Sequence, residues 1–489
     1  MKGVIFKFVI IITSICLVSA RPERKKEING RNEEKGRKID SLMTALNNRG
    51  QFTGSILVAD HGKLIYKKAF GMSDRQNNIL FTPDTKEYIG SVSKQFTAMG
   101  IMILRDQGKL QYDEHIKVFF PELPACMDPV TIRHLLYHIS GLALFEDYPD
   151  MTEKDVFNIL MKQESLRFTP GEKFEYCNAG YSLLGMIIEK ISGERLNEFM
   201  TANIFKPLGM NQTFVNEISH PDKTRAIGYT MFGTVDSYDT YMGGNASIIS
   251  TVDDLYKWDQ ELYHCDLVKP QTLAEAFTPS SIVMKNPALN RRDDLFGEMS
   301  YGYGWWIATN NNAEDFHHDG AFSGYISFIE RRPGEKTTII ELSNLRHIPA
   351  YEIRTAILNI LEDKPYSLPK ITGSYFLHEK SQTLGMDSAI ALYRVLQKNG
   401  DTRFDFGELI INSYAYFLLR LNHTDDAIKV FKLNVEDYPN SANVYDGLGD
   451  GYLKAGDKIH AIVYYEKESA LDPSNEDLKN RIKTLKASQ

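Results

Sequence analysis

Gly90-Ser91-Val92-Ser93-Lys94 opens an apolar-periodic run, Gln95–Leu110, in which Phe96, Met99, Ile103 and Leu104 recur at helical spacing. Gly108 stands where such a helix would stop. In a helix that begins here, Ser91 lies in the first turn and Lys94 one turn on, on the same face. A hydroxyl and an amine then meet at side-chain distance, beside first-turn N–H groups that no helical carbonyl takes. A nucleophile for acyl transfer needs a proton acceptor and a place where negative charge can develop. One short element offers both. The bland alternative for Ser91 is a helix N-cap. A second Ser-x-x-Lys, Ser367-Leu368-Pro369-Lys370, has a proline inside it and another at Pro365, which disfavours a helical turn.

The chain around this stretch has 489 residues, 43% of them hydrophobic, enough for two or three domains with a substantial core. Fifty-six basic and 64 acidic side chains leave a net charge of −8. Outside a short N-terminal segment no basic stripe is available to neutralise phosphates, which argues against nucleic acid as a partner. Lys2 and Lys7 precede an apolar run from Phe8 to Val18, and Val18-Ser19-Ala20 has the small residues of a cleavage site. Residues 1–20 therefore read as a secretory signal, too short to leave a stable membrane span, and the mature chain is expected in the periplasm or outside the cell. Cys126, Cys177 and Cys265 remain, an odd and widely spaced set that fits small core residues better than a disulfide framework or a zinc site. Asn211, Asn245 and Asn422 each open a glycosylation acceptor triplet.

Residues 21–37 are dense in Lys, Arg and Glu and read as a solvated tether. A catalytic-type domain is expected over 38–365. Ile39–Leu46 looks like its first helix, and Phe52–Ala59 and Lys63–Phe70 form a hairpin about Asp60-His61-Gly62. Asp128–Leu142 contains His134-Leu-Leu-Tyr-His138-Ile-Ser-Gly-Leu142, and Tyr181–Ile191 has helical spacing with Gly193 beyond its end. Phe316–Gly320, Tyr325–Arg331 and Thr337–Leu342 read as late strands, and Tyr351–Leu361 as a closing helix. Strands from both ends with helices between them predict an α/β (α+β) fold, an antiparallel sheet flanked by helices with an inserted helical region. The prolines of 363–370 mark a boundary, with a linker over 366–380.

Residues 381–489 read as an all-α domain. Ala427, Phe431 and Pro439 reappear 34 positions later as Ala461, Tyr465 and Pro473, the tetratricopeptide period. Tyr445, Leu448, Gly449 and Tyr452 fit that pattern in the second unit, while Glu468 stands where a small residue is usual. Asp387–Gln397 reads as half of an earlier, degenerate repeat, and Ser474 as the cap of a last helix whose Leu478, Ile482 and Leu485 face one way.

Two further motifs carry chemistry. Tyr176-Cys177-Asn178 offers a phenol as proton partner and an amide to orient substrate or lysine. His318-Asp319-Gly320 lies on a late strand, where Gly320 would let substrate approach the edge and leave the Ala321 N–H as an oxyanion donor. Alternation sends His317 and His318 to opposite faces, which makes a poor metal site.

Taken together, Ser-x-x-Lys, then Tyr-x-Asn, then His-x-Gly resembles the β-lactamase-related serine hydrolases of the class C type, a family that also holds penicillin-binding D,D-peptidases, D-aminopeptidases and some esterases. The likeness runs through Gly90–Ala98, His134–Leu142, Pro170–Asn178, Pro207–Met210, Gly243-Gly244 and Tyr301–Gly304. It implies that Ser91 is acylated, with Lys94 and Tyr176 sharing the work of general base and then acid. It also implies that Asn178 contacts the substrate amide and Lys94, that the N–H groups of Ser91 and Ala321 form the oxyanion hole, and that His318 binds or polarises substrate. No metal or organic cofactor is implied. His318-Asp319-Gly320 stands where lactamases and many peptidases have Lys-Thr-Gly, so a substrate carboxylate loses its grip and would meet an acid. The expectation is a serine hydrolase acting on an amide or ester, a D-amino-acid peptide or ester rather than a β-lactam, with a protein or peptide partner for the repeats. A true β-lactamase is the alternative within the enzymes. A non-catalytic cell-wall peptide-binding protein that works through its repeats is the alternative outside them.

Overall fold

The computed structural model describes residues 20–145, 148–217, 222–278, 298–310 and 313–487. Residues 1–19, where a secretory signal is expected, lie outside them. The chain divides into two compact units, residues 1–229 with 235–367, and residues 230–234 with 368–489.

In the first unit the early hairpin pairs β1 (Gly54–Asp60) with β2 (Lys63–Phe70), and the turn places His61 and Gly62 at φ 51° and 70°. Such a left-handed pair matches the twist of two adjacent strands. The remaining strands of the main sheet come late: β3 (Glu298–Tyr301), β4 (Trp306–Asn310), β5 (Ala313–Phe322), β6 (Tyr325–Arg332) and β7 (Thr337–Ser343). Their order is β2-β1-β7-β6-β5-β4-β3, antiparallel throughout. The last strand therefore pairs with the first, and the sheet is closed by chain ends about 280 residues apart, with the helical region inserted between them. This is the predicted architecture.

Each face of the sheet has its own cover. Phe316, Phe322, Ile329, Ile340 and Leu342 share a core with Phe96, Met99 and Leu104 of α2 (Ser93–Asp106). On the other face Ile39, Leu42, Met43 and Leu46 of α1 (Ala20–Asn48) are buried, as are Ile353 and Ile357 of the closing helix Ala350–Leu361. The charged segment 21–37 is thus not a tether, because α1 begins at Ala20 and continues through it. Lys, Glu and Arg are good helix formers, and Lys35 is drawn to the sheet by a 2.9 Å ion pair with buried Asp60. Gly36 lies so close to β2 that a Cβ there would stand 3.0 Å from the Ile65 carbonyl oxygen.

The second unit is built of antiparallel helix pairs. Glu408–Arg420 with Thr424–Asp437, and Ala442–Lys454 with Lys458–Leu471, start and end 34 residues apart from one pair to the next. Ala427, Phe431, Ala461 and Tyr465 are buried at matching positions. Gly449 is required where it stands, since a Cβ would lie 2.5 Å from the Tyr465 ring. Residues 373–384 and 386–398 form a complete earlier pair, so most of the expected linker 366–380 is helical. Ser474 does not cap the last helix, Glu476–Ala487. Asn475 does so, its Oδ1 accepting from the Leu478 N–H at 3.1 Å.

Candidate active site

Ser91 sits one step ahead of its predicted place, in a 3-10 turn (Gly90–Val92) that runs directly into α2. Gly90 makes the turn possible with φ 48°, and its backbone lies against β5: a Cβ there would stand 2.8 Å from the Ala321 nitrogen. Lys94 follows in the first turn of α2 and is fully buried. Its Nζ donates to Ser91 Oγ at 3.0 Å and to the Asn245 carbonyl at 3.0 Å.

That carbonyl is delivered by close packing. Gly244 touches both neighbouring helices, its would-be Cβ 2.6 Å from the Tyr181 carbonyl oxygen and 2.7 Å from Thr97 Cγ2. Thr97 Oγ1 donates to the Gly244 carbonyl at 2.6 Å. The Asn245 amide nitrogen is spent inside the protein, on Ser182 Oγ at 2.8 Å and the Met242 carbonyl at 3.0 Å, and the residue is 1% exposed. It is therefore no glycosylation acceptor.

Tyr176 comes to the same point from the segment before α3 (Asn178–Ser192). Lys94 Nζ is 5.0 Å from its ring centroid and 5.7 Å from that of Tyr181. The Tyr176 ring stacks on Trp306 at 6.0 Å and 17°, and lies 4.2 Å from the His138 ring. Asn178 opens α3 with its Oδ1 buried. Cys177 is buried, as expected of a small core residue; its thiol donates to the Ala143 carbonyl at 3.5 Å, and burial pushes it up to about 11.

The late strand supplies an amide. Phe322 and Tyr325 face each other across the two-residue turn Ser323-Gly324, with Ser323 at φ 50°. The pair closing such a turn exchanges hydrogen bonds, and the next pair, Ala321 with Ile326, does not. The Ala321 N–H is thereby directed away from β6, toward Gly90 and Ser91.

Three expectations for this strand need correction. Gly320 leaves no room for substrate: a Cβ there would stand 2.1 Å from the Ile89 carbonyl oxygen and 2.3 Å from Ser327 Oγ, so its smallness admits the 3-10 turn instead. His318 is 1% exposed and both ring nitrogens are engaged. Nδ1 faces the Asp319 carbonyl at 2.6 Å and must donate, which leaves Nε2 to accept from the Tyr301 hydroxyl at 2.9 Å. Burial first, and the Lys94 charge with it, bring His318 down to about 4 against the opposing pull of Asp319. It is a neutral wall of the site, without a nitrogen to offer a substrate. Finally, Asp319 belongs to the face of His317, whose ring stacks on Phe328 at 5.8 Å, while His318 pairs with Ile329 on the helical-domain face. Alternation turns the Asp319 side chain to the opposite face from His318, although its charge still acts on the His318 ring.

The residues that sequence reasoning passed over are His138, Tyr301, Trp306 and Asn245. His138 and Tyr301 stood inside noted phrases, but nothing in a linear sequence assigns their contacts. Asn245 acts through its main chain, which leaves no side-chain signature.

The Beta-lactamase family model matches residues 39–362. Penicillin-binding protein 4* of Bacillus subtilis (strain 168) is 30% identical over 69% of this chain and 78% of its own length. Protein flp of Staphylococcus aureus is 28% identical over 66% of each. Among solved structures, the octameric penicillin-binding protein homologue from Pyrococcus abyssi superposes with a TM-score of 0.59 at 29% identity, over 67% of this chain and 77% of that one. A penicillin-binding protein from Bacillus halodurans, at 24% identity and TM-score 0.57, covers 65% of this chain and 99% of its own and shares the fold. With Ser91, Lys94 and Tyr176 brought together within such a fold, the matched region leaves one assignment: the chain belongs to the beta-lactamase family of serine hydrolases.

Proposed function

We propose that this protein is an exported serine hydrolase that works through an acyl-enzyme at Ser91, on an amide or ester of the D-amino-acid peptide class rather than on a β-lactam. The observation that carries the reading is the 3.0 Å contact between Ser91 Oγ and the Nζ of a fully buried Lys94. Burial disfavours an ammonium relative to an amine, which suits proton acceptance. Ser91 Oγ attacks the carbonyl carbon as its proton passes to the Lys94–Tyr176 pair, and the N–H groups of Ser91 and Ala321 hold the oxyanion. The same proton goes to the leaving amine or alcohol, and water then hydrolyses the acyl-serine with the pair acting as base.

The preference over β-lactams rests on what the late strand lacks. His318 replaces the lysine of Lys-Thr-Gly and is held neutral, so that strand brings no cation to a substrate carboxylate. The helix pairs of the second unit would take a protein or peptide partner, and the apolar run Phe8–Val18 behind Lys2 and Lys7 supports export.

A panel of p-nitrophenyl esters, D-amino-acid anilides, D-Ala-D-Ala peptides and nitrocefin, run on wild type and Ser91→Ala, tests this. Turnover of an ester or D-amino-acid substrate that vanishes in Ser91→Ala is expected. Nitrocefin turnover exceeding all others would reverse the substrate assignment, and no Ser91-dependent turnover would remove the enzymatic one.

A further inference from the structure

We propose that His138 is a positioning residue of the acylation site, one that holds the Tyr176 phenol beside Lys94 by gripping the chain on both sides of it. The inference rests on the acyl-enzyme reading for its consequence, though not for its geometry.

Three contacts converge on Tyr176 from this one residue. The His138 main-chain carbonyl accepts the Glu175 N–H at 2.9 Å. Its ring Nδ1 accepts the Cys177 N–H at 3.1 Å. Between those two bonds the imidazole packs on the Tyr176 ring, centroids 4.2 Å apart and planes at 36°. With Trp306 also stacked on Tyr176, the phenol is confined and its neighbouring peptide groups are fixed. Tyr176 is the one member of the reacting trio that does not stand on the Ser91 turn or on α2, so it needs such an anchor.

His138 is itself held in a costly conformation. It follows the short helix Ile132–Leu136 with φ 57°, a left-handed backbone that non-glycine residues rarely adopt. The segment after it is tied down: the Gly171 N–H bonds to the Ile139 carbonyl at 2.9 Å and the Arg167 N–H to the Gly141 carbonyl at 2.8 Å. Tyr181 Oη donates to the Leu136 carbonyl at 2.9 Å, which joins the end of the short helix to α3.

The grip also requires a neutral ring, because a protonated imidazole has no acceptor for the Cys177 N–H. Burial first, and the charge at Lys94 with it, hold His138 well below the usual histidine range, and the proton of the neutral ring sits on Nε2. The two jobs ask for an in-plane acceptor and an aromatic face together. That requirement separates histidine from asparagine, which has only the acceptor, and from alanine, which has neither.

The test compares wild type, His138→Ala and His138→Asn on the best ester substrate, with thermal melts to confirm folding. Asparagine also tolerates a left-handed backbone. His138→Ala should lower kcat by roughly 100-fold while KM stays within about threefold, and His138→Asn should recover roughly tenfold of that loss. Amide hydrogen exchange gives a second readout that needs no activity: the Glu175 and Cys177 amides should be protected in wild type and exposed in His138→Ala. A His138→Ala enzyme with wild-type kcat overturns the proposal, as does a Cys177 amide that exchanges freely in wild type. A wild type that turns over nothing overturns the acyl-enzyme reading instead, and exchange at Glu175 and Cys177 still decides whether the grip exists.

Discussion

Lys94 is held by two acceptors of different origin, the Ser91 hydroxyl and the Asn245 main-chain carbonyl. The carbonyl cannot take up a proton at neutral pH, whereas the hydroxyl can give one up to the amine. Replacing the amine without changing much volume, as Lys94→Met, should lower the acylation rate by about 10²–10⁴-fold while the fold persists, the range for removing a positioned base. Stopped-flow acylation with an activated ester measures it, and a loss under tenfold would assign the base elsewhere. At this scale the sequence was informative where residue type carries the chemistry, in that it named Ser91, Lys94 and Tyr176, which the fold brings together. It was misleading at His318, because the role of a histidine depends on which neighbours occupy its two nitrogens. Here Tyr301 and the Asp319 carbonyl occupy both.

At the scale of elements, the site depends on how closely β5 lies on the turn before α2. Gly320 and Gly90 are the two points of contact, with would-be Cβ atoms 2.1 Å from Ile89 O and 2.8 Å from Ala321 N. Gly320→Ala must push the strand off the turn and carry the Ala321 N–H with it. The expected cost is about 1–3 kcal/mol of stability from overpacking, read by chemical denaturation, with a larger loss of acylation rate than the stability change explains. Unchanged acylation would separate that strand from the oxyanion site. The strands were legible from alternation, and the helices around the site from apolar spacing. The N-terminal part of α1 was not, because its composition is that of a solvated segment. Its helicity comes from good helix formers, an i,i+4 pair between Glu34 and Lys38, and docking through Lys35 onto Asp60, a partner 25 residues away.

At the scale of the whole molecule, the sheet joins both ends of the first unit, and Glu341 sits on the strand that makes the join. Its carboxyl is fully buried, both oxygens lack a hydrogen-bond partner among the described residues, and burial, with the charge of Glu352, pushes it up to about 8. The folded state therefore binds a proton more tightly than the unfolded chain. The stability this protects is present below about pH 4.5, falls as pH rises through 8, and is lost above it, a difference of roughly 3–5 kcal/mol for this one group. Glu341→Gln should flatten the fall of stability between pH 5 and 9, and urea melts across that range would show it. Equal slopes for wild type and variant would mean that Glu341 is ionised in the folded protein. The join itself was readable only as strands at both ends of a domain, since the register of β1 on β7 is a property of the folded sheet.

The central claim, that Ser91 is the acylated residue of a centre completed by Lys94 and Tyr176, is tested most directly by mapping the adduct of a fluorophosphonate probe by mass spectrometry. The account predicts one adduct on the peptide that carries Ser91, absent in Ser91→Ala and slowed in Tyr176→Phe. An adduct on another serine, or a folded wild-type protein that takes no adduct, would contradict it.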